Sequence, residues 1–163
     1  MTVEREASRV GLGLTAGASV VAAVTALALG GGVGLLGVPI AVAGVYRTSR
    51  TLLGVGVLAL FVGLLAAATT GVPRGLEGII ALSMAGALLT WDIGENAISV
   101  AEQLRARAKT ERIEVVHAAS SALVAAFFTT GAFIVFWLSA GGQPGIALAL
   151  LVFGALVAIL TLR

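Results

Sequence analysis

The 163-residue chain carries ten Lys and Arg against eight Asp and Glu, a net charge of +2, and no cysteine. Hydrophobic residues make up 59% of it and charged residues 11%, where a soluble domain carries roughly a quarter charged residues. Disulfides, thiolate metal sites and cysteine nucleophiles are excluded. The basic residues sit at the ends of apolar segments, which points to membrane orientation and away from a phosphate-binding face for nucleic acid.

Arg5 and Arg9 precede the first apolar run, Val10 to Leu29. It is longer than the roughly 7 to 15 apolar residues of a signal-peptide core, so despite its small-x-small stretch Ala26-Leu27-Ala28 it reads as a retained span. Gly13 and Gly17 within it form a small-xxx-small pair, expected to pack on another helix of the same chain, with a dimer seam as the alternative. The second span, Val33 to Tyr46, is short and contains Pro39, which is expected to tilt or kink it. Leu52 to Thr70 and Leu76 to Trp91 follow, then Val115 to Leu138 and Ile146 to Leu162. Each run approaches the length of about 20 residues that crosses a bilayer as a helix. The fold class is therefore all-α, a polytopic bundle of about six transmembrane helices forming a single integral membrane domain over residues 1–163.

Turns rich in Gly and Pro at Gly30–Gly34, Gly71–Gly75 and Gly141–Gly145 alternate with connections bearing Arg47 and Arg50, then Arg105, Arg107, Lys109 and Arg112. Lys and Arg in short loops are retained in the cytoplasm. The basic connections and both termini therefore face inward, in a cell membrane, and only Arg74 falls outside. Tyr46, Trp91 and Trp137 lie near span ends, where aromatic rings anchor at the interface.

Polar residues concentrate between Asp92 and His117. The run from Leu76 to Trp91 is 16 residues, about 24 Å of helix, so Asp92 and Glu95 are expected at the inner interface. Ile93, Ala97, Val100, Ala101, Leu104 and Ala108 then recur at helical spacing, with Asp92, Glu95, Asn96, Ser99 and Gln103 on the other face. Residues 92–114 read as a cytoplasmic amphipathic extension able to lie on the membrane or receive a protein partner, with Val100 and Leu104 as candidate docking residues. Thr110 caps the fifth helix, and Glu111 and Glu114 sit near its positive end.

Asp92 with Glu95, and Glu114 with His117, each three apart, project from common helix faces. Asp92, Glu95, Asn96, Glu114 and His117 form a candidate polar cluster, expected to converge at the inner interface. Carboxylates and a histidine from paired helices can hold a divalent cation. With a single His and no Cys, structural zinc is disfavoured, and whether metal or protons bind stays open. The acids could equally pair with Arg105, Arg107 or Arg112, and His117 could serve as a proton relay or bond to Ser120 or Ser121. Phosphate-loop, serine-hydrolase, zinc-protease and kinase signatures are missing. A non-enzymatic protein without a cofactor is expected.

The stretch Trp91-Asp92-Ile93-Gly94-Glu95-Asn96-Ala97, continuing through Glu102-Gln103-Leu104 to Thr110, Arg112, Glu114 and His117, resembles a family of uncharacterised haloarchaeal polytopic membrane proteins. It departs at Ala101, where such families are expected to have Gly. Similar proteins appear beside a MoxR-like AAA+ ATPase and proteins with von Willebrand-type adhesion domains, which implies an archaeal membrane assembly with an AAA+ ATPase-associated system as partner. The expected function is a membrane subunit or scaffold that docks a partner through its cytoplasmic segment. The alternative is a small transporter or channel with Asp92, Glu95 and His117 at its cytoplasmic mouth.

Overall fold

A computed structural model describes residues 7–69, 71–72, 75–103 and 110–138. In chain order they form α1 (Arg9–Ala28), a 3-10 helix (Gly32–Leu36), α2 (Gly37–Tyr46), α3 (Arg50–Thr69), α4 (Glu77–Gln103) and α5 (Glu111–Leu138), with no strand among the described residues. Four helices, α1, α3, α4 and α5, are long and apolar enough to cross a bilayer. The expected span at 146–162 lies outside the described residues, as do Leu104, Arg105, Arg107 and Lys109. By internal contacts the chain divides into residues 1–129 and 130–163. The second unit is described only over 130–138, the end of α5, where Ile134 and Trp137 are exposed.

α1 and α2 end alike. After α1, Gly30 takes a positive φ of 92°, its N–H donates to Leu27 O at 2.9 Å, and Gly31 N–H donates to Ala26 O at 2.8 Å. After α2, Thr48 holds φ at 50° while its N–H reaches Val45 O at 3.0 Å and Ser49 N–H reaches Gly44 O at 2.8 Å. Both are the paired C-terminal bonds that satisfy last-turn carbonyls. Glycine suits the left-handed position, whereas a β-branched Thr there is strained.

The second apolar run is split, a 3-10 helix leading into α2. Pro39 lies in the first turn of α2, where no intrahelical N–H bond is required. Since a 3-10 helix rises about 2.0 Å per residue against 1.5 Å for an α-helix, the pair extends about 25 Å. It packs antiparallel on α3 in a constant register. Gly44 faces Leu53, Ala41 faces Gly56, Gly37 faces Leu60 and Gly34 faces Gly63. The backbones nearly touch: a methyl group at Gly44 would sit 2.3 Å from the Leu53 nitrogen, and one at Gly56 2.3 Å from the Ala41 nitrogen. Such close approach of small residues is how helices associate where lipid provides no hydrophobic drive.

α1 and α4 make the second antiparallel seam, from Gly11 against Ala97 to Ala22 against Gly86. α1 buries Gly11, Thr15, Ser19, Ala22 and Ala26. Gly13 and Gly17 therefore do not pack on another described helix: two residues on from Gly11 is about 200° round the helix, and a methyl group at either would meet nothing within 4 Å. Four hydroxyls are buried between these helices, and each donates to a backbone carbonyl: Thr15 to Gly11, Ser19 to Ala16, Ser83 to Ala22 and Thr90 to Gly86, at 2.7–2.9 Å. Only the Ser83 bond crosses between helices, joining α4 to α1.

At 27 residues, α4 is about 40 Å long and outreaches a hydrocarbon layer of about 30 Å. The expected helical extension past Trp91 is therefore present to Gln103. Its apolar side is not free: Ile93, Ala97 and Ile98 are buried, and Ala97 and Ile98 join a cluster with Ala41, Val45, Leu53 and Val57. Trp91 is half-buried against this cluster, its ring 3.4 Å from where a Gly54 methyl would lie, so it packs on α3 in addition to any interfacial placement.

Candidate functional site

The antiparallel seams bring the start of α1, the turn from α2 to α3, the end of α4 and the start of α5 to one end of the bundle. Of the described charged residues only Glu77 lies at the other end. Three polar contacts organise the charged end, each between different helices.

Arg50, the first residue of α3, grips α4. Its Nε donates to Glu95 Oε1 at 2.7 Å, and its two terminal nitrogens donate to the two Glu102 carboxylate oxygens at 2.8 Å each. Nη2 also reaches the Ser99 hydroxyl at 3.3 Å. Residues 95, 99 and 102 recur at helical spacing, so one planar guanidinium spans nearly two turns of α4, with the fork geometry that suits carboxylates. The polar face of the extension is thus largely occupied from within the chain. Arg50 is positioned by Ser49, whose hydroxyl accepts the Leu52 N–H at 3.3 Å in the first turn of α3.

His117 Nε2 on α5 lies 3.0 Å from Asp92 Oδ2 on α4, an ion pair when the imidazole is protonated. Both atoms are shielded from solvent yet meet no hydrogen-bond geometry, as is also true of Glu95 Oε2. The close distance and the missing hydrogen bond describe one contact, which is electrostatic and off the donor axis.

Glu114 is 3% exposed and accepts a hydrogen bond from the Ser8 hydroxyl. That hydroxyl in turn accepts the Gly11 N–H at 2.9 Å, capping α1. The carboxylate of α5 therefore sits over the positive N-terminal end of α1 instead of serving only its own helix. Gly11 leaves the room for it, since a methyl group there would lie 2.8 Å from Glu114 Oε2 and 2.7 Å from Ala97 Cβ.

The five cluster residues share this end of the molecule without converging on one point. Asp92 meets His117, Glu95 meets Arg50, and Glu114 meets Ser8. Asn96 is half-buried with no side-chain hydrogen bond among the described residues. No group of three His, Cys, Asp or Glu side chains there could hold a metal ion, again among the described residues. Val100 is half-buried on α4. The sequence reading missed Ser8, Gly11 and Arg50. A Ser three residues before a small residue at a helix start was a usable capping signal for Ser8, whereas nothing local marks Arg50 as the partner of a helix 45 residues on.

No curated protein and no solved structure matches the chain. One family model matches residues 5–159, nearly its whole length. The chain therefore belongs to the family of unknown function DUF7519.

Proposed function

We propose that the protein is a non-enzymatic integral membrane subunit that crosses the cell membrane six times, keeps both termini in the cytoplasm, and docks a protein partner at its charged end. Its contacts are assigned to the outward side of segment 92–114, with Val100 and Leu104 at the centre, and an AAA+ ATPase-associated system is the partner class implied by the resemblance above. The observation that carries this reading is the disposal of polar groups. All four hydroxyls buried between α1 and α4 donate to backbone carbonyls, so the seam offers no free hydroxyl donor to a path between these helices, which weakens a conduction reading. Charge is instead gathered at one end, and the flanks expose Val24, Leu58, Leu123 and Phe127, as lipid contact favours. The shielded Asp92–His117 pair favours the second reading, a small transporter whose mouth lies at that end.

Affinity purification from native membranes tests the proposal. A specific protein should co-purify with the wild type and be lost in the Val100→Glu, Leu104→Glu double variant, with membrane insertion intact. Retention of every partner by that variant defeats the docking assignment. Labelling of Arg47→Cys and Glu111→Cys from the cytoplasm alone, and of Leu76→Cys from outside alone, tests the orientation.

A further inference from the structure

The outer side of α5 carries a feature that the three inward contacts leave unused. Among the described residues, an open groove of about 420 Å³ is lined by Arg112, Ile113, Val116, His117 and Ser120. Glu114 and Ala118, one face round, are buried against the bundle, and the lining residues occupy the other faces of α5 in its first turns. Arg112 is exposed and enters no ion pair among the described residues. Ile113 and Val116 are exposed apolar walls. Ser120 donates its hydroxyl to the His117 carbonyl at 2.8 Å, which leaves it as a small floor and not as a donor. Farther along the same side, Leu123 is 72% and Phe127 75% exposed.

This is a cation at the head of an apolar column. From Arg112 to Phe127 the helix advances about 22 Å, enough for a headgroup and an acyl chain that fills one leaflet of a hydrocarbon layer about 30 Å thick. A guanidinium presents paired donors that match two phosphate oxygens. Glu111, the nearest exposed carboxylate, projects about 100° round the helix from Arg112 and so flanks the site without filling it.

We infer that Arg112 and the groove beside Val116 hold one anionic phospholipid, its phosphodiester on the guanidinium and one chain along Val116, Leu123 and Phe127. The inference rests on the membrane reading above and goes further in assigning a lipid class to a site. The test is native mass spectrometry of the full-length protein released from nanodiscs containing equal phosphatidylglycerol and phosphatidylcholine of the same chains. The wild type should retain phosphatidylglycerol preferentially. Arg112→Gln should lower that retention about fivefold, the weight of one basic residue near an anionic leaflet, and Val116→Glu should abolish it.

Arg47→Gln, which removes an exposed cation at the same end, should change nothing. An equal loss in Arg47→Gln, or none in Arg112→Gln, overturns the site. An excess of inorganic phosphate should leave retention intact, because the chain holds the headgroup; displacement by phosphate alone overturns lipid as the occupant. Carbonate extraction of native membranes separates the two failures. Protein that washes off defeats the membrane reading itself, while protein that stays and binds lipid indifferently to Arg112 defeats only this inference.

Discussion

α4 and α5 are nearly equal in length, 27 and 28 residues, and both are apolar enough to cross a bilayer, yet they are held in opposite ways. Within its apolar stretch, 44% of α4 is buried against 6% of α5. α4 lies in a seam of small residues with α1 and presses Gly94 against Leu53 and Val45. α5 is held at its foot, through Glu114 to Ser8, His117 to Asp92 and the buried Ala118. Hydropathy reports which segments can enter a bilayer, while the placing of small residues and a few polar atoms decides which of them pack.

The largest effect should come from filling the α4 seam. A methyl group at Gly86 already lies 2.9 Å from the Ala22 nitrogen, so Gly86→Leu must part α1 from α4 and should cost about 3 kcal/mol or more. Ala122→Leu on the exposed side of α5 should stay within about 0.5 kcal/mol. Thermal unfolding of both in detergent checks the pair, and equal losses would erase the contrast between the helices. Next comes the foot of α5. Glu114→Ala removes the charged acceptor of the half-buried Ser8 hydroxyl and should cost about 1–3 kcal/mol, the range for a hydrogen bond to a charged group. Hydrogen exchange should quicken in the first turns of α5 and α1, with the middle of α4 unchanged; acceleration throughout α4 would show that α5 braces the bundle.

The smallest effect lies in the turn between α2 and α3, outside both helices. Thr48→Gly relieves a left-handed β-branched residue and, after the added freedom of the unfolded chain, should stabilise by about 0.5–1 kcal/mol. A lower unfolding midpoint would mean that the threonine side chain contributes something its φ does not reveal.

Much of the helical content was legible. The runs beginning at Val10, Leu52, Leu76 and Val115 became α1, α3, α4 and α5 with starts shifted by four residues or fewer, because an unbroken apolar stretch bounded by Gly, Pro or charge leaves the backbone few alternatives. The extension past Trp91 was legible for the same reason. Partner choice was not. Gly13 and Gly17 carry the recognisable spacing, but the side of α1 that meets α4 is set by tertiary packing, and it selects Gly11. Arg50 read as an orientation signal because topology depends on its charge alone, while its bonds to Glu95 and Glu102 depend on the depth at which α3 and α4 lie side by side. Glu114 read as a residue serving its own helix, since the approach of α1 leaves no trace near it in the sequence.

The seams also bear on the order in which the chain can assemble. Every contact of the α2–α3 hairpin and of the α1–α4 seam is made by residues up to Gln103, and domains generally fold from the N-terminus as synthesis proceeds. The hairpin joins near neighbours and can close first, α4 then returns along α1, and this core is complete before Glu111 emerges. α5 arrives at a finished surface, where Ser8 already caps α1 and Gly11 leaves a vacancy shaped for one carboxylate. Glu114 thus serves as the late fastening of a nascent chain, and a chain arrested once Gln103 has cleared the ribosome should already display a protease-resistant core.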